Sequence, residues 1–248
     1  MDWSFQLYSA RNFQPWGKVL KSLSDAGYRQ VEGFGGLYDD AAGLRSELDK
    51  NGLSMPSGHF SLDMLENDFD GARKVADTLD MKLVACPHIA ADLRPSDAAG
   101  WRAFGERLGK VGKRVADAGY DFAWHNHDFE FARLPDGSVP EQHIMDAAPN
   151  LGWEIDVAWV IRGGADPLEW IDRFGDRILA VHVKDIAPAG EAADEDGWAD
   201  VGHGTVDWAG LIKALKSKTK ARYYVVEHDN PKDFERFARR SIEAAKRF

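Results

Sequence analysis

Four short apolar runs in the second half of the chain each end in residues that can bind a metal ion. They span residues 122–127, 153–156, 178–184 and 223–227, and their last polar side chains are histidines, carboxylates and a lysine. Imidazole nitrogens and carboxylate oxygens are the usual protein ligands of divalent transition metals. The chemistry that the sequence indicates first is therefore that of a metal-dependent enzyme.

Buried parallel strands would position these residues. Each run is short and apolar, and a segment with helical spacing follows it, which is typical of β/α units. The carboxyl ends of the strands of a parallel β/α barrel converge on one face. We therefore expect a single cluster on that face, made of His125, His127, Asp156, His182 and Glu227.

The two histidines of the first run share one face of their strand, because strand residues two apart point to the same side. Phe122 and Trp124 would point to the other side, under the helices, which predicts that His125 and His127 face the barrel interior. A pair of hydrogen-bonded interior histidines without a metal is the alternative.

The other polar ends of the runs also have structural alternatives. Asp156 is costly to bury without a partner, so we expect it to bind a metal or a cation, although it could instead cap the next helix. Lys184 shares a face with His182 and suits a substrate oxygen, or else an ion pair with a carboxylate across the barrel. Glu227 ends a hydrophobic strand, where metal binding and general-base catalysis are its expected uses.

The first half of the chain carries fewer charged strand ends. The side chains on or at the end of its four predicted strands that could bind substrate hydroxyls are Gln6, Tyr8, Glu32, His59 and His88. Trp159 is a candidate platform for the apolar face of a sugar ring, although a tryptophan is more often part of a core.

Strands and helices alternate through the whole chain, which predicts a (β/α)8 TIM barrel formed by one domain, residues 1–248. The eight predicted strands span residues 4–9, 30–32, 54–59, 82–87, 122–127, 152–157, 178–184 and 223–227. Helical spacing is clearest over residues 15–26, 41–50, 62–79, 97–118, 207–218 and 232–246. An open doubly wound sheet is the alternative, but the first predicted strand lacks the glycine-rich phosphate loop of such sheets.

The composition narrows the range of partners and locations. The 248 residues carry a formal net charge of −10, which argues against nucleic acid or an anionic membrane as a partner. No apolar segment reaches the length of a membrane span, and the first residues do not resemble a signal peptide. The single cysteine, Cys86, fits a reducing compartment, so we expect a cytoplasmic protein. The sequence leaves a homo-oligomer open.

Five motifs resemble those of the xylose isomerase-like TIM barrels, the superfamily of sugar phosphate isomerases and epimerases. The motifs are HNHDFEF at 125–131, IDV at 155–157, VHVKD at 181–185, GHGTVDW at 202–208 and VEH at 226–228. As a set they are specific, and the resemblance covers essentially the whole chain. It implies a TIM barrel that acts on a small sugar.

The resemblance also implies a ligand set for a divalent ion, Mn²⁺, Mg²⁺, Co²⁺ or Zn²⁺. The ligands would be His125, Asp156, His182 and Glu227, at the ends of strands five to eight. The epimerases of the family have glutamate at the position of His125 and histidine at that of Trp159. Both differences from the epimerases are compatible with a dehydratase or a lyase. A metal-dependent endonuclease, also found in the wider superfamily, is disfavoured by the acidic surface.

The function predicted from the sequence is metal-dependent isomerisation or epimerisation of a ketose, or of a sugar phosphate, through an enediolate. Glu227 or His127 would remove the proton, and Lys184 would stabilise the developing oxyanion. Two other functions fit the same residues. One is β-elimination from a keto-sugar, a 3-keto-glycoside or an inosose, and the other is sugar binding without catalysis.

Overall fold

The computed structural model describes residues 2–248, and its centre is a closed barrel of eight parallel strands. The barrel strands are β1 (Trp3–Gln6), β2 (Gln30–Gly33), β3 (Ser54–His59), β4 (Leu83–Cys86), β5 (Asp121–His125), β6 (Gly152–Asp156), β7 (Ile178–Val183) and β10 (Tyr223–Val226). Each strand pairs with its neighbours along the chain, and β1 closes the ring against β10. The predicted TIM barrel and its eight strands are confirmed.

Two further strands form a small antiparallel pair outside the barrel. They are β8 (Asp185–Ile186), which begins just after β7, and β9 (Trp198–Ala199). The two strands and the residues between them form an insertion. A strand of two residues is too short to show an alternating pattern, so this insertion was not predicted.

Ten α-helices in residues 2–248 surround the barrel. They are α1 (Trp16–Ala26), α2 (Ala41–Lys50), α3 (Leu62–Asn67), α4 (Phe69–Leu79), α5 (Ala98–Asp117), α6 (Pro140–Ala147), α7 (Val157–Arg162), α8 (Pro167–Phe174), α9 (Trp208–Lys218) and α10 (Phe234–Ala245). The helix predicted over 62–79 is two helices, because Asp68 ends α3 and its side chain caps α4 through Gly71 N–H. None of these helices is long and apolar enough to cross a membrane.

Side-chain alternation along the strands separates the core from the barrel interior. On β5, Trp124 points outward, is fully buried, and packs edge-to-face on Phe104 of α5 with 5.3 Å between ring centroids. Full burial of such a side chain stabilises the fold by about 1.5–3 kcal/mol. The neighbours of Trp124, Ala123 and His125, therefore point into the barrel, as the sequence predicted.

The helix ends follow from local residue types. Asp97 caps α5 by accepting a hydrogen bond from the Gly100 N–H at 2.8 Å. Gly27 after α1 has φ +103° and Gly119 after α5 has φ +96°, a conformation that glycine adopts without steric cost. These short endings return the chain to the next strand, so that every strand enters the barrel in the same direction.

Candidate active site

The carboxyl ends of β5, β6, β7 and β10 bring together the four side chains predicted as metal ligands. One donor atom each from His125, Asp156, His182 and Glu227 lies within 4.8 Å of the other three. All four side chains are buried, and Glu227 is the most exposed at 5%. Strand register contributes directly, since Asp156 lies opposite His182 across β6 and β7. We call these four residues the upper cluster.

His127 is not a member of the upper cluster. Strand β5 ends at His125, and the His127 ring lies beyond it, 5.3 Å from the His125 ring between centroids. His127 lies on the wall of the cavity above the cluster, and its Nδ1 has no hydrogen-bond partner. Of the two histidines, His125 is therefore the one placed to bind an ion.

The upper cluster has free donor atoms that fit a divalent ion. Asp156 Oδ1 accepts a hydrogen bond from Trp159 N–H at 3.0 Å and caps α7, whereas Oδ2 accepts none. Both predicted roles of Asp156 are thus compatible. His125 Nδ1 is also without a partner, and burial, aided by nearby His182, holds the pKa of His125 well below its usual range. A neutral imidazole has the lone pair that a metal requires.

His182 connects the upper cluster to a carboxylate beneath it. Its Nδ1 lies 2.7 Å from Glu227 Oε2, and its Nε2 lies 2.7 Å from Glu32 Oε1. A metal-binding histidine usually donates its second ring N–H to such a carboxylate, which fixes the tautomer and the ring orientation. Glu32 also accepts hydrogen bonds from Gln6 Nε2 and Ser57 Oγ.

The position of Glu32 bears on its predicted role in binding substrate. Its side chain is fully buried below the cavity, and three protein donors already use its oxygens. This arrangement favours a role for Glu32 in orienting His182 rather than in contacting a substrate directly.

Lys184 is a buried cation among carboxylates. Its Nζ lies 2.8 Å from Asp229 Oδ1 and 3.1 Å from Glu227 Oε2. A third oxygen, Asp156 Oδ2, lies 3.4 Å away. Nζ also lies 4.6 Å from the centroid of the Trp198 ring, within cation–π range. Lys184 therefore pairs with carboxylates at the ends of the neighbouring strands β6 and β10 rather than across the barrel, and the same ammonium group borders the cavity.

The charges of these groups follow from their neighbours. Burial would lower the pKa of Lys184, but Asp229 and then Glu227 raise it above its ordinary value. Burial would likewise raise the pKa of Glu227, but Lys184 and His182 hold it well below its usual range. Burial, helped by the charge of Lys184, lowers the pKa of His127 to about 3. At neutral pH, Lys184 and Glu227 are therefore charged and His127 is neutral.

A cavity of about 710 Å³ opens above the upper cluster, a volume in the usual range for small-molecule sites. Eight residues singled out in the sequence line it, namely Tyr8, His59, His88, His125, His127, Trp159, Lys184 and Glu227. Five further polar or aromatic lining residues were not predicted, namely Arg11, Phe34, Ser61, Asp196 and Asp229. The cavity thus combines aromatic surfaces with hydrogen-bonding groups, as sugar binding requires.

One missed carboxylate carried a usable signal in the sequence. Glu154 lies two residues before Asp156 on β6, so the two side chains face the same side of the strand. Asp229 lies beyond the end of β10 at Val226, where strand alternation does not apply. Glu154 Oε2 lies 2.7 Å from His59 Nε2, inside the barrel. The loop residue Asp196 has no comparable periodic signal.

In two of the sequence motifs, a polar residue has a structural role, because it hydrogen-bonds to the backbone of another segment. Asn126 Oδ1 accepts hydrogen bonds from Asp156 N–H and from Trp153 Nε1–H, both at 2.9 Å, and its Nδ2 donates to Asp156 O. It therefore joins the ends of β5 and β6. Asp185 accepts from four backbone N–H groups, including Gly202 and Gly204, and so orders the loop of the GHGTVDW motif.

Comparisons with solved structures identify the same fold throughout. A sugar phosphate isomerase/epimerase from Parabacteroides distasonis superimposes with a TM-score of 0.82 at 20% identity, covering 98% of this chain and 94% of that one. An IolI protein with a bound zinc atom gives a TM-score of 0.78 at 17% identity, covering 100% and 96%. AsbF from Bacillus anthracis, a candidate 3-DHS dehydratase, gives 0.77 at 12% identity, covering 99% of each chain.

Sequence comparisons agree with the structural ones. The rhizopine catabolism protein MocC of Rhizobium meliloti is 25% identical over an alignment of 245 positions that covers 86% of this chain and 74% of MocC. The sequence model of the xylose isomerase-like TIM barrel family matches residues 20–248, which is nearly the whole chain. The protein therefore belongs to the xylose isomerase-like TIM barrel family.

Proposed function

We propose that this protein is a metal-dependent isomerase or epimerase of a ketose or ketose phosphate. The observation that carries the proposal is the upper cluster, two imidazoles and two carboxylates within 4.8 Å of one another, at the floor of a cavity of sugar size. The donor set suits Mn²⁺, Co²⁺ or Zn²⁺, and Mg²⁺ less well because it prefers oxygen ligands.

The proposed chemistry divides between the ion and the side chains around it. When bound, the ion supplies Lewis acidity, which lowers the pKa of the C–H next to a substrate carbonyl. Glu227 and His127 both line the cavity and can accept that proton, since one is ionised and the other neutral. Lys184 then stabilises the negative charge on the enediolate oxygen, because it is held charged at the cavity wall.

The cavity wall offers the contacts that a sugar needs. Trp159 is half-buried and presents an aromatic surface, which suits the apolar face of a sugar ring. His59 and His88 lie on the wall with ring nitrogens that can bond hydroxyl groups. We infer that these three side chains orient the substrate so that the carbon to be deprotonated faces Glu227 or His127.

A dehydratase or lyase is the second candidate, and one observation favours it. Glu227 is the only carboxylate of the upper cluster that lines the cavity in the described residues 2–248, and the strand-five position is His125. Epimerisation needs acid–base groups on two faces of one carbon. Deprotonation on one face followed by expulsion of a β-oxygen needs only one base together with a donor such as a histidine.

Hydrogen exchange tests the proposal across a range of sugars. The protein, loaded with Mn²⁺ and then transferred to D₂O, is incubated with a panel of ketoses, 3-keto-glycosides and inososes. NMR after removal of the ion should show deuterium at the carbon next to the carbonyl, in an isomer or epimer. An elimination product would instead absorb in the ultraviolet as an enone.

The controls separate catalysis from binding. Exchange should disappear after chelation and return when Mn²⁺ is restored. The Glu106→Gln variant, altered at an exposed position on α5, should exchange as the wild type does. Absence of both exchange and an enone for every sugar, in protein shown to contain metal, would contradict the enzymatic proposal and favour a binding barrel.

A further inference from the structure

A second group of metal-ligating side chains lies inside the barrel next to the upper cluster. One donor atom each from His59, His125, Glu154 and His182 also lies within 4.8 Å of the other three. His59 is 8% exposed, His125 2%, and the other two are fully buried. Glu154 is central to this group, since its Oε2 lies 2.7 Å from His59 Nε2 and 3.3 Å from His125 Nδ1.

His125 and His182 belong to both groups, and their contacts indicate which group each histidine serves. His182 directs Nδ1 at Glu227 and Nε2 at Glu32 Oε1, so it serves the upper cluster and is oriented by Glu32. His125 Nδ1 is closest to Glu154 and has no hydrogen-bond partner. Assigning His125 to Glu154 leaves Asp156, His182 and Glu227 above, which is the three-ligand pattern of a catalytic site with an open position.

The contacts of the interior carboxylates distinguish Glu154 from the others. Four carboxylates of the barrel interior are at most 5% exposed, namely Glu32, Glu154, Asp156 and Glu227. Glu32 has three hydrogen-bond partners, and Glu227 lies 3.1 Å from Lys184 Nζ. The cationic groups near Glu154 are the histidines His59, His125 and His182, and its Oε1 is buried without a hydrogen-bond partner, which is costly.

The imidazoles of this group are close enough to bind one ion together with Glu154. The His125 ring lies 4.3 Å from the His182 ring and 5.0 Å from the His59 ring between centroids. His125 Nδ1, like Glu154 Oε1, is buried without a hydrogen-bond partner. An ion bound to His125 and Glu154 would give both side chains a partner.

We propose that His59, His125 and Glu154 bind a second divalent ion, and we call these residues the lower cluster. The inference rests on the proposed function only in assigning the other ion to Asp156, His182 and Glu227. Two imidazoles and one carboxylate suit Zn²⁺ or Co²⁺, whereas the more oxygen-rich upper site suits Mn²⁺. The lower ion would hold His59 and His125, two residues of the cavity wall, in fixed orientations.

Metal stoichiometry tests this inference. Metal-free protein is saturated with Co²⁺, desalted, and assayed for bound cobalt by mass spectrometry. We expect about two ions per chain in the wild type and in Glu106→Gln, an exposed control. Glu154→Gln and His59→Gln should each retain about one ion, and Asp156→Asn should also retain about one. Circular dichroism checks that each variant is folded.

The outcomes distinguish the two proposals. One ion in the wild type, lost in Asp156→Asn and kept in Glu154→Gln, overturns the lower site and leaves the proposed function intact. Two ions in folded Glu154→Gln and His59→Gln place the second ion elsewhere and also overturn it. One ion lost in Glu154→Gln but kept in Asp156→Asn supports the lower site and removes the basis of the proposed function. No bound cobalt overturns both.

A measurement on the wild type alone guards against variants that do not fold. Crystals are equilibrated with Zn²⁺, and anomalous diffraction at the zinc edge locates the bound ions. The lower site predicts a peak at bonding distance, about 2.0–2.2 Å, from a carboxylate oxygen of Glu154 and from ring nitrogens of His59 and His125. Zinc peaks confined to Asp156, His182 and Glu227 at saturating zinc contradict it.

Discussion

The two ends of the barrel interior differ in chemistry although the same strands form both. At the amino end, Leu83, Ala123 and Ala180 form a small apolar cluster, whereas the carboxyl end carries histidines and carboxylates. On β5 the inward side changes from Ala123 to His125, and on β7 from Ala180 to His182, each within two residues. Residues that stabilise the barrel and residues that do chemistry are thus neighbours on one face.

Substitution at the carboxyl end of the barrel interior should have the largest effect on activity. Glu227→Gln removes both a proposed ligand charge and a proposed base, so turnover should fall about 10²–10⁴-fold. Glutamine keeps the shape of the side chain but removes the buried ion pair with Lys184, so the free energy of unfolding should also fall, by up to about 3–5 kcal/mol. Steady-state kinetics and urea unfolding measure the two effects. Turnover within about threefold of wild type in a folded variant would exclude both roles of Glu227.

Substitution at the amino end of the barrel interior should lower stability without changing metal binding. Leu83 is fully buried, so Leu83→Ala should lower the free energy of unfolding by about 2–5 kcal/mol through lost burial and a cavity. Metal affinity of the folded protein, measured by calorimetry, should stay within about twofold. Leu168→Ala, at a site that is 43% exposed, is the matched control and should cost no more than about 0.5 kcal/mol. Loss of metal binding in folded Leu83→Ala would show that the two ends are not separable.

Removal of the metal ion from the carboxyl end should lower the stability of the protein without unfolding the barrel. At an ion concentration about 100 times the dissociation constant, binding stabilises the native state by about 2.7 kcal/mol. Addition of a chelator should therefore lower Tm by about 5–10 °C for a chain of this size. Differential scanning calorimetry measures the change, with Asp156→Asn as the variant in which it should shrink. A Tm that is the same with and without Mn²⁺ would contradict a tightly held ion.

The buried carboxyl group of Glu141, which lies outside the barrel, sharpens the comparison because burial outweighs the nearby charge in setting its pKa. Burial raises the pKa of Glu141 to about 8, despite the opposing charge of Arg177, and both of its oxygens lack hydrogen-bond partners. The native state then keeps a proton that the unfolded chain loses above about pH 4.5. Stability from this group is therefore fully present below pH 4.5 and declines up to about pH 8.

The Glu141→Gln variant should lack this decline. Relative to the wild type, it should gain at most about 1.4 kcal/mol per pH unit between pH 5 and 8. Urea midpoints at the two pH values measure the gain, in the presence of a chelator so that metal binding does not contribute. Glu106→Gln, at an exposed position, should track the wild type. An equal pH dependence in Glu141→Gln and wild type would show that Glu141 is ionised in the native state.

The barrel and the upper cluster were predictable from sequence because both depend on regular periods. Apolar runs of strand length indicated eight strands, and residues at their ends indicated His125, Asp156, His182 and Glu227. They also indicated His127, which lies outside the upper cluster because β5 ends at His125. The same period of two would have included Glu154. The catalytic roles of Glu227, His127 and Lys184 stay predictions, as do the substrate contacts of His59, His88 and Trp159.

What the sequence did not predict depends on contacts between distant segments. The contact between Glu32 and His182, which lie 150 residues apart along the chain, has no signal in the sequence. Asp196 reaches the cavity only through the β8–β9 insertion, whose pairing is two residues long. The helix predicted over 62–79 was divided by Asp68, because one side chain both followed α3 and capped α4. In each of these cases, one side chain or a very short segment decides the structure.

Anomalous diffraction from crystals equilibrated with Mn²⁺ tests most directly whether the upper cluster binds an ion. We expect a strong peak at bonding distance, about 2.0–2.3 Å, from oxygens of Asp156 and Glu227 and from a ring nitrogen of His182. A well-ordered crystal at saturating Mn²⁺ that shows no peak there, with both carboxylates engaged only by Lys184 and their protein neighbours, would contradict the proposed metal site.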